Sequence, residues 1–160
     1  MRRNRIISAT VVAALAFVAL ALAGCAGAKA GDTGAAPMKV GIRAQAAEAS
    51  LKVDDQPGTA DSLKVAAVKA PEAAWLAVHL DDGGKPGERI GLVSIPKGES
   101  TDVNVPLDRT KTLTDKVIVA VHADRATAGK FDFDMERFDA SPDKPFWVDG
   151  KELAVFVKVK

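Results

Sequence analysis

The chain of 160 residues contains two histidines, His79 and His122. Each closes an apolar run in the same surroundings, Ala77-Val78-His79-Leu80-Asp81 and Ala120-Val121-His122-Ala123-Asp124. Imidazole is a common ligand for copper and zinc, so the A-V-H-x-D echo makes His79 and His122 candidate metal ligands. Alternation groups His79 with Trp75 and Ala77, and His122 with Ile118 and Ala120, on the face opposite the main core. If the two strands are antiparallel neighbours, the histidines belong to opposite strand ends. Four or five positions at about 3.4 Å each then separate them by roughly 15 Å, too far to share one ion. The plainer expectation is two strand-end histidines, each bonded to a nearby loop, and an echo that reflects convergent use of a strand end.

The acidic residues offer calcium as a second option. Asp132 and Asp134 alternate on an expected strand, with Asp124, Asp139 and Asp143 near in sequence. Calcium takes six to eight oxygens from a compact loop, and no D-x-D-x-D-G run is present. These carboxylates are therefore expected to form a solvated face outside Phe131 and Phe133. Trp75, Phe146 and Trp147 are expected in the core, with Trp147 the best placed of them for a binding surface. No nucleophile elbow, zincin helix, phosphate loop or dinucleotide fingerprint occurs. The run Gly83-Gly84-Lys85-Pro86-Gly87 is glycine-rich, but Pro86 removes an amide that a phosphate cradle would use, so a hairpin loop is expected. No catalytic residue and no cofactor are assigned, and an enzyme is not expected.

The single cysteine, Cys25, excludes an intramolecular disulfide and a thiolate cluster. It follows Arg2, Arg3 and Arg5 and an uncharged stretch from Ile6 to Gly24, the layout of a secretory signal. Leu22-Ala23-Gly24-Cys25 resembles a bacterial lipobox. That resemblance implies a diacylglyceryl group on the Cys25 thiol and cleavage before it by signal peptidase II. Leu22, Ala23 and Gly24 would be the recognition residues. Ala26 after the cysteine, in place of Asp, resembles the signal for outer-membrane sorting in cells that have such a membrane. Removing residues 1–24 takes three arginines and no acid, which leaves 19 basic and 21 acidic side chains. The expected location is a membrane, held by lipid on Cys25 and facing the extracytoplasmic side. The balanced charge speaks against a nucleic-acid partner; an envelope protein partner is open.

These residues need a scaffold, and the sequence provides one after an Ala/Gly-rich stretch. Residues 1–24 are expected as signal peptide, 25–48 as lipid-anchored tether, and 49–160 as the folded domain. Within the tether, 43–48 is expected to form at most a short helical turn. Period-two alternation marks half-buried strands at Leu51–Val53, Leu63–Ala67, Ala74–Leu80, the run after Gly87, Thr101–Leu107, Lys116–Ala123 and Leu153–Val159. Turn signals separate them: Gln56-Pro57-Gly58, Asp82-Gly83-Gly84, Pro96-Lys97-Gly98, Ala128-Gly129 and Asp149-Gly150. Pro106 is expected at a strand end or edge, because it cannot donate to a ladder. The expected fold is all-β, a single antiparallel immunoglobulin-like sandwich of about seven strands.

An ordered series of short pieces also resembles a domain-of-unknown-function family of secreted β-sandwich domains, found in archaeal surface proteins and bacterial lipoproteins. The pieces are Val53-Asp54-Asp55-Gln56, Trp75 to His79, Ile90-Gly91, Val103-Asn104-Val105-Pro106-Leu107 and Val121-His122-Ala123-Asp124. Gly129-Lys130-Phe131-Asp132-Phe133 and Asp143-Lys144-Pro145-Phe146 complete them. The resemblance covers roughly residues 50–157. It implies an extracytoplasmic sandwich and brings no activity. The function expected is a non-catalytic binding or structural module of the cell envelope, with metal handling through His79 or His122 as the alternative.

Overall fold

The computed structural model describes residues 39–58, 60–127 and 129–159. Leu22, Ala23, Gly24 and Cys25, the signal peptide and most of the expected tether lie outside these residues. The fold is all-β and sandwich-like, as the alternation predicts. Its strands are β1 (Ile42–Arg43), β2 (Ser50–Lys52), β3 (Ser62–Ala70), β4 (Ala74–Asp82) and β5 (Lys85–Ile95), followed by β6 (Gly98–Pro106), β7 (Lys116–Ala123), β8 (Phe146–Val148), β9 (Lys151–Glu152) and β10 (Ala154–Lys158). One sheet has the order β10-β7-β4-β5, the other β2-β3-β6, and a small third sheet β1-β8-β9. Pairing is antiparallel throughout, except between β1 and β8. The seven strands expected from alternation are β2 to β7 and β10. The three additional strands are two or three residues long and show no alternation; β2 is as short, but Leu51 and Val53 mark it.

β1 lies inside the stretch expected as tether. Ile42 and Ala44 donate backbone N–H groups to the carbonyls of Pro145 and Trp147, both at 2.8 Å, and both residues pack against the core. The folded unit therefore reaches back beyond residue 49. The helical turn expected there is present, with Ala49 N–H on the Gln45 carbonyl at 3.0 Å.

The alternation expected through Ala67 breaks within β3. Leu63 and Val65 are buried, then Val68 and Ala70, and the facing part of β6 carries Asp102 at φ 52°. The glycine-rich run is a hairpin, as expected. Asp82 pairs with Lys85 across Gly83 and Gly84, whose φ values of 61° and 88° suit the twist of the flanking strands. Pro106 ends β6, at the edge of its sheet.

β4 and β7 are the central strands of their sheet, and both of their faces are buried. Leu76, Val78, Val117, Val119 and Val121 face the main core with Leu63, Val65 and Val105 of the opposite sheet. Trp75, Ala77, His79, Ile118, Ala120 and His122 form the other face. Phe131 and Phe133, from the segment 129–145, pack on Trp75 and His122 of that face, whose residues are buried within the chain. Among the described residues no helix is long and apolar enough to cross a membrane.

Candidate functional site

The site is built on a point of local symmetry between β4 and β7. Ala77 pairs with Ala120, Trp75 with His122, and His79 with Ile118. The two A-V-H tripeptides therefore run in opposite directions from one alanine pair, each placing its histidine two positions beyond it. The backbone register is the one expected for antiparallel neighbours. The expectation that the rings stay roughly 15 Å apart fails, because the imidazole centroids are 6.4 Å apart with planes inclined by 32°. The reason is the size of what lies between them. Four positions span about 14 Å, but two methyl side chains leave a trough, and both imidazoles lie down over it towards each other.

Each ring is fixed at Nδ1. His79 Nδ1 lies 3.0 Å from the Gly87 carbonyl and His122 Nδ1 2.9 Å from the Asp143 carbonyl. A carbonyl only accepts, so each Nδ1 carries the proton and each neutral ring keeps its lone pair on Nε2. The pairing of β4 with β5 shifts register on both sides of His79, an irregularity that presents the Gly87 carbonyl to the ring. Among the described residues, the sealed polar side-chain atoms without a partner are Trp75 Nε1, Asp124 Oδ1 and Trp147 Nε1. Neither Nε2 is among them, and both rings line one cleft.

Burial keeps the pair uncharged. Desolvation is the main cause in both cases. It pushes His122 down to about 4, against the Asp143 carbonyl bond and with help from the nearby His79 and Arg89. It also lowers His79, against the Gly87 bond and with help from Arg89.

The cleft has a volume of about 550 Å³, and both histidines line it. Phe131 and Phe133 meet the His122 ring edge to face at 5.3 and 4.7 Å. The Arg89 guanidinium stands over Phe131 at 4.7 Å. Asp132, Asp134, Met135, Arg137 and Glu152 complete its mouth. Burial raises the Glu152 carboxyl above its ordinary value.

The expected strand through Asp132 and Asp134 is absent, because residues 131–134 are irregular. A buried carboxylate organises this segment. Asp143 is fully buried and accepts backbone N–H groups from Arg125, Ala126 and Asp132 at 2.7, 2.8 and 2.7 Å. Its oxygens are thus occupied in holding the loop, and the Asp143 carbonyl fixes His122. Asp134 accepts from Glu136 N–H and Arg137 Nε. Among the described residues, no three His, Cys, Asp or Glu side chains stand close enough to hold a metal.

Trp75 and Phe146 are buried, as expected. Trp147 is half-buried and borders a separate hollow with Val40, Arg43 and Asp149. Sequence reasoning missed Met135, Arg89 and the bracing role of Asp143. The alanine two places before each histidine was the available signal for the short ring separation.

No curated protein and no solved structure matches the chain. A family model described as Domain of unknown function (DUF7282) matches residues 49–160, the span that holds both histidines, the Asp143 brace and the loop over them, and the chain belongs to that family.

Proposed function

We propose that the protein is a lipid-anchored, extracytoplasmic and non-catalytic binding module whose ligand seat is the histidine cleft. One observation carries this reading. Two neutral imidazoles are each fixed by an Nδ1–H···O=C bond, which leaves the Nε2 lone pair of each ring unused by that bond, and both rings line the same cleft. A histidine serving only to finish a strand needs no such opening. Non-catalytic binding fits a cleft that offers acceptors and aromatic walls, with no serine or cysteine among its lining residues. The extracytoplasmic side and the lipid rest on the Leu22-Ala23-Gly24-Cys25 sequence.

Metal handling, with copper or zinc on His79 and His122, is favoured within this reading by the 6.4 Å ring spacing. The test is an NMR titration that follows the imidazole nitrogens of the full chain. The panel is Cu(I) under anaerobic conditions, Zn(II), Ca(II), phosphate, acetate and simple sugars, each added separately. A saturable shift at both Nε2 nuclei with any one of them supports the cleft as the seat. Shifts confined to other faces, or none across the panel, would remove it.

A further inference from the structure

The inference here rests on that reading of the cleft and names its ligand. We infer that the seat takes a soft, monovalent metal ion of the Cu(I) class, held between His79 Nε2 and His122 Nε2 and capped by the thioether of Met135.

Spacing is the first argument. With metal–nitrogen bonds of about 2 Å, two imidazoles on opposite sides of one ion have centroids about 6.3 Å apart, and at a tetrahedral angle about 5.1 Å apart. The observed 6.4 Å matches the opposed arrangement. A filled d-shell ion of charge +1 accepts two nearly opposite donors, whereas zinc in a structural site asks for four in a tetrahedron.

Donor chemistry is the second. Two neutral nitrogens and a thioether form a soft set. Met135 lines the cleft and is 48% exposed, so its thioether is accessible to an ion there. Its unbranched chain gives the sulfur reach. The hard alternatives are engaged or insufficient. The Asp134 carboxylate accepts from Arg137 Nε at 2.9 Å and Glu136 N–H at 2.8 Å. Asp132 and Glu152 also line the cleft, but no three hard or imidazole ligands converge among the described residues.

The third argument is the support around the ligands. A metal-binding histidine characteristically donates its other ring N–H to a carbonyl or carboxylate, and both rings already do so. Binding uses the existing lone pairs, forms two N–metal bonds and one S–metal bond, and releases no proton and transfers no electron.

The test is an anaerobic Cu(I) competition against bicinchoninate, with Zn(II) and Cu(II) titrated in parallel. It uses the full chain in detergent, carrying Cys25→Ser so that the lone thiol does not compete. One equivalent of Cu(I) is expected, bound more tightly than Zn(II). His79→Ala should weaken it about a hundredfold and Met135→Leu about tenfold. Met135 is exposed, so its variant keeps the test informative even where His122→Ala fails to fold; circular dichroism checks each variant. Cu(I) affinity unchanged in both His79→Ala and Met135→Leu would overturn the assignment. So would Zn(II) binding more tightly than Cu(I), although the cleft reading would then stand. Absence of Cu(I) binding overturns the inference alone, because the NMR panel judges the cleft independently.

Discussion

His122 is a base kept neutral by its surroundings, and that has a consequence for stability. Its value is about 4 in the folded protein and returns to an ordinary 6.5 on unfolding. Between those values the unfolded chain holds the extra proton, so stability falls as pH drops from 6.5 towards 4. Full expression of the shift amounts to about 3 kcal/mol. His79 is lowered for the same reason and adds to the loss. Glu152 acts in the opposite sense: its raised carboxyl contributes most at low pH, and that contribution is lost as pH rises through its folded value. Arg89, Arg137, Asp132 and Asp134 are the other charged groups around the cleft. Urea unfolding at pH 7 and pH 4.5 should show a marked fall in midpoint for the native chain. His122→Gln should be less stable at pH 7 and show a flatter dependence. Parallel curves for the two proteins would mean that the imidazole is not the group responsible.

At the scale of elements, the small sheet is the part that ties the N-terminal stretch to the site. β1 docks on β8, and the Pro145 carbonyl that receives Ile42 stands two residues from Asp143, the brace of the cleft loop. Gly41 allows this approach, because a β-carbon there would overlap the Pro145 carbonyl oxygen. Gly41→Ala should therefore detach β1, at a cost of about 1 to 3 kcal/mol from two lost hydrogen bonds and the exposure of Ile42. Hydrogen exchange should show lost protection at Ile42 and Ala44, with β4 and β7 unaffected. Protection unchanged at both amides would show that β1 is not held by this contact. Nothing in the sequence announced β1, because two residues carry no alternation. The seven strands read from the alternation were legible because Val, Leu or Ile recur at every second position, set against polar residues in β2, β3 and β6 and against Ala and His in β4 and β7, and the hairpins because Gly83-Gly84 and Asp149-Gly150 supply the positive φ values their turns use. The cleft was legible only in part. The histidines stood out by type, but their approach depends on the small pair Ala77 and Ala120 meeting across the strands. Met135 carried no local pattern at all, since its place comes from an irregular loop pinned through space by Asp143.

At the scale of the whole molecule, the proposed anchor and the cleft make separable demands on the chain. If residues 1–24 are removed as proposed, 19 basic and 21 acidic side chains remain, so net charge would not draw the protein to anionic lipid. Acyl chains on Cys25 would supply the affinity, at about 0.8 kcal/mol per buried methylene, and that term is insensitive to salt. A wash in about 1 M salt, where screening acts over only about 3 Å, should leave the protein in the membrane fraction. Cys25→Ser should abolish incorporation of labelled fatty acid and leave the uncut stretch 6–24 as the only apolar anchor. Intact-mass measurement then separates the two kinds of attachment: the native chain should begin at a lipid-modified Cys25, and the variant should retain residues 1–24. A native mass that still includes residues 1–24 and no lipid would replace the lipobox with an uncleaved N-terminal anchor. His79→Ala should change neither mass nor fractionation, which would place the anchor and the ligand seat under independent control.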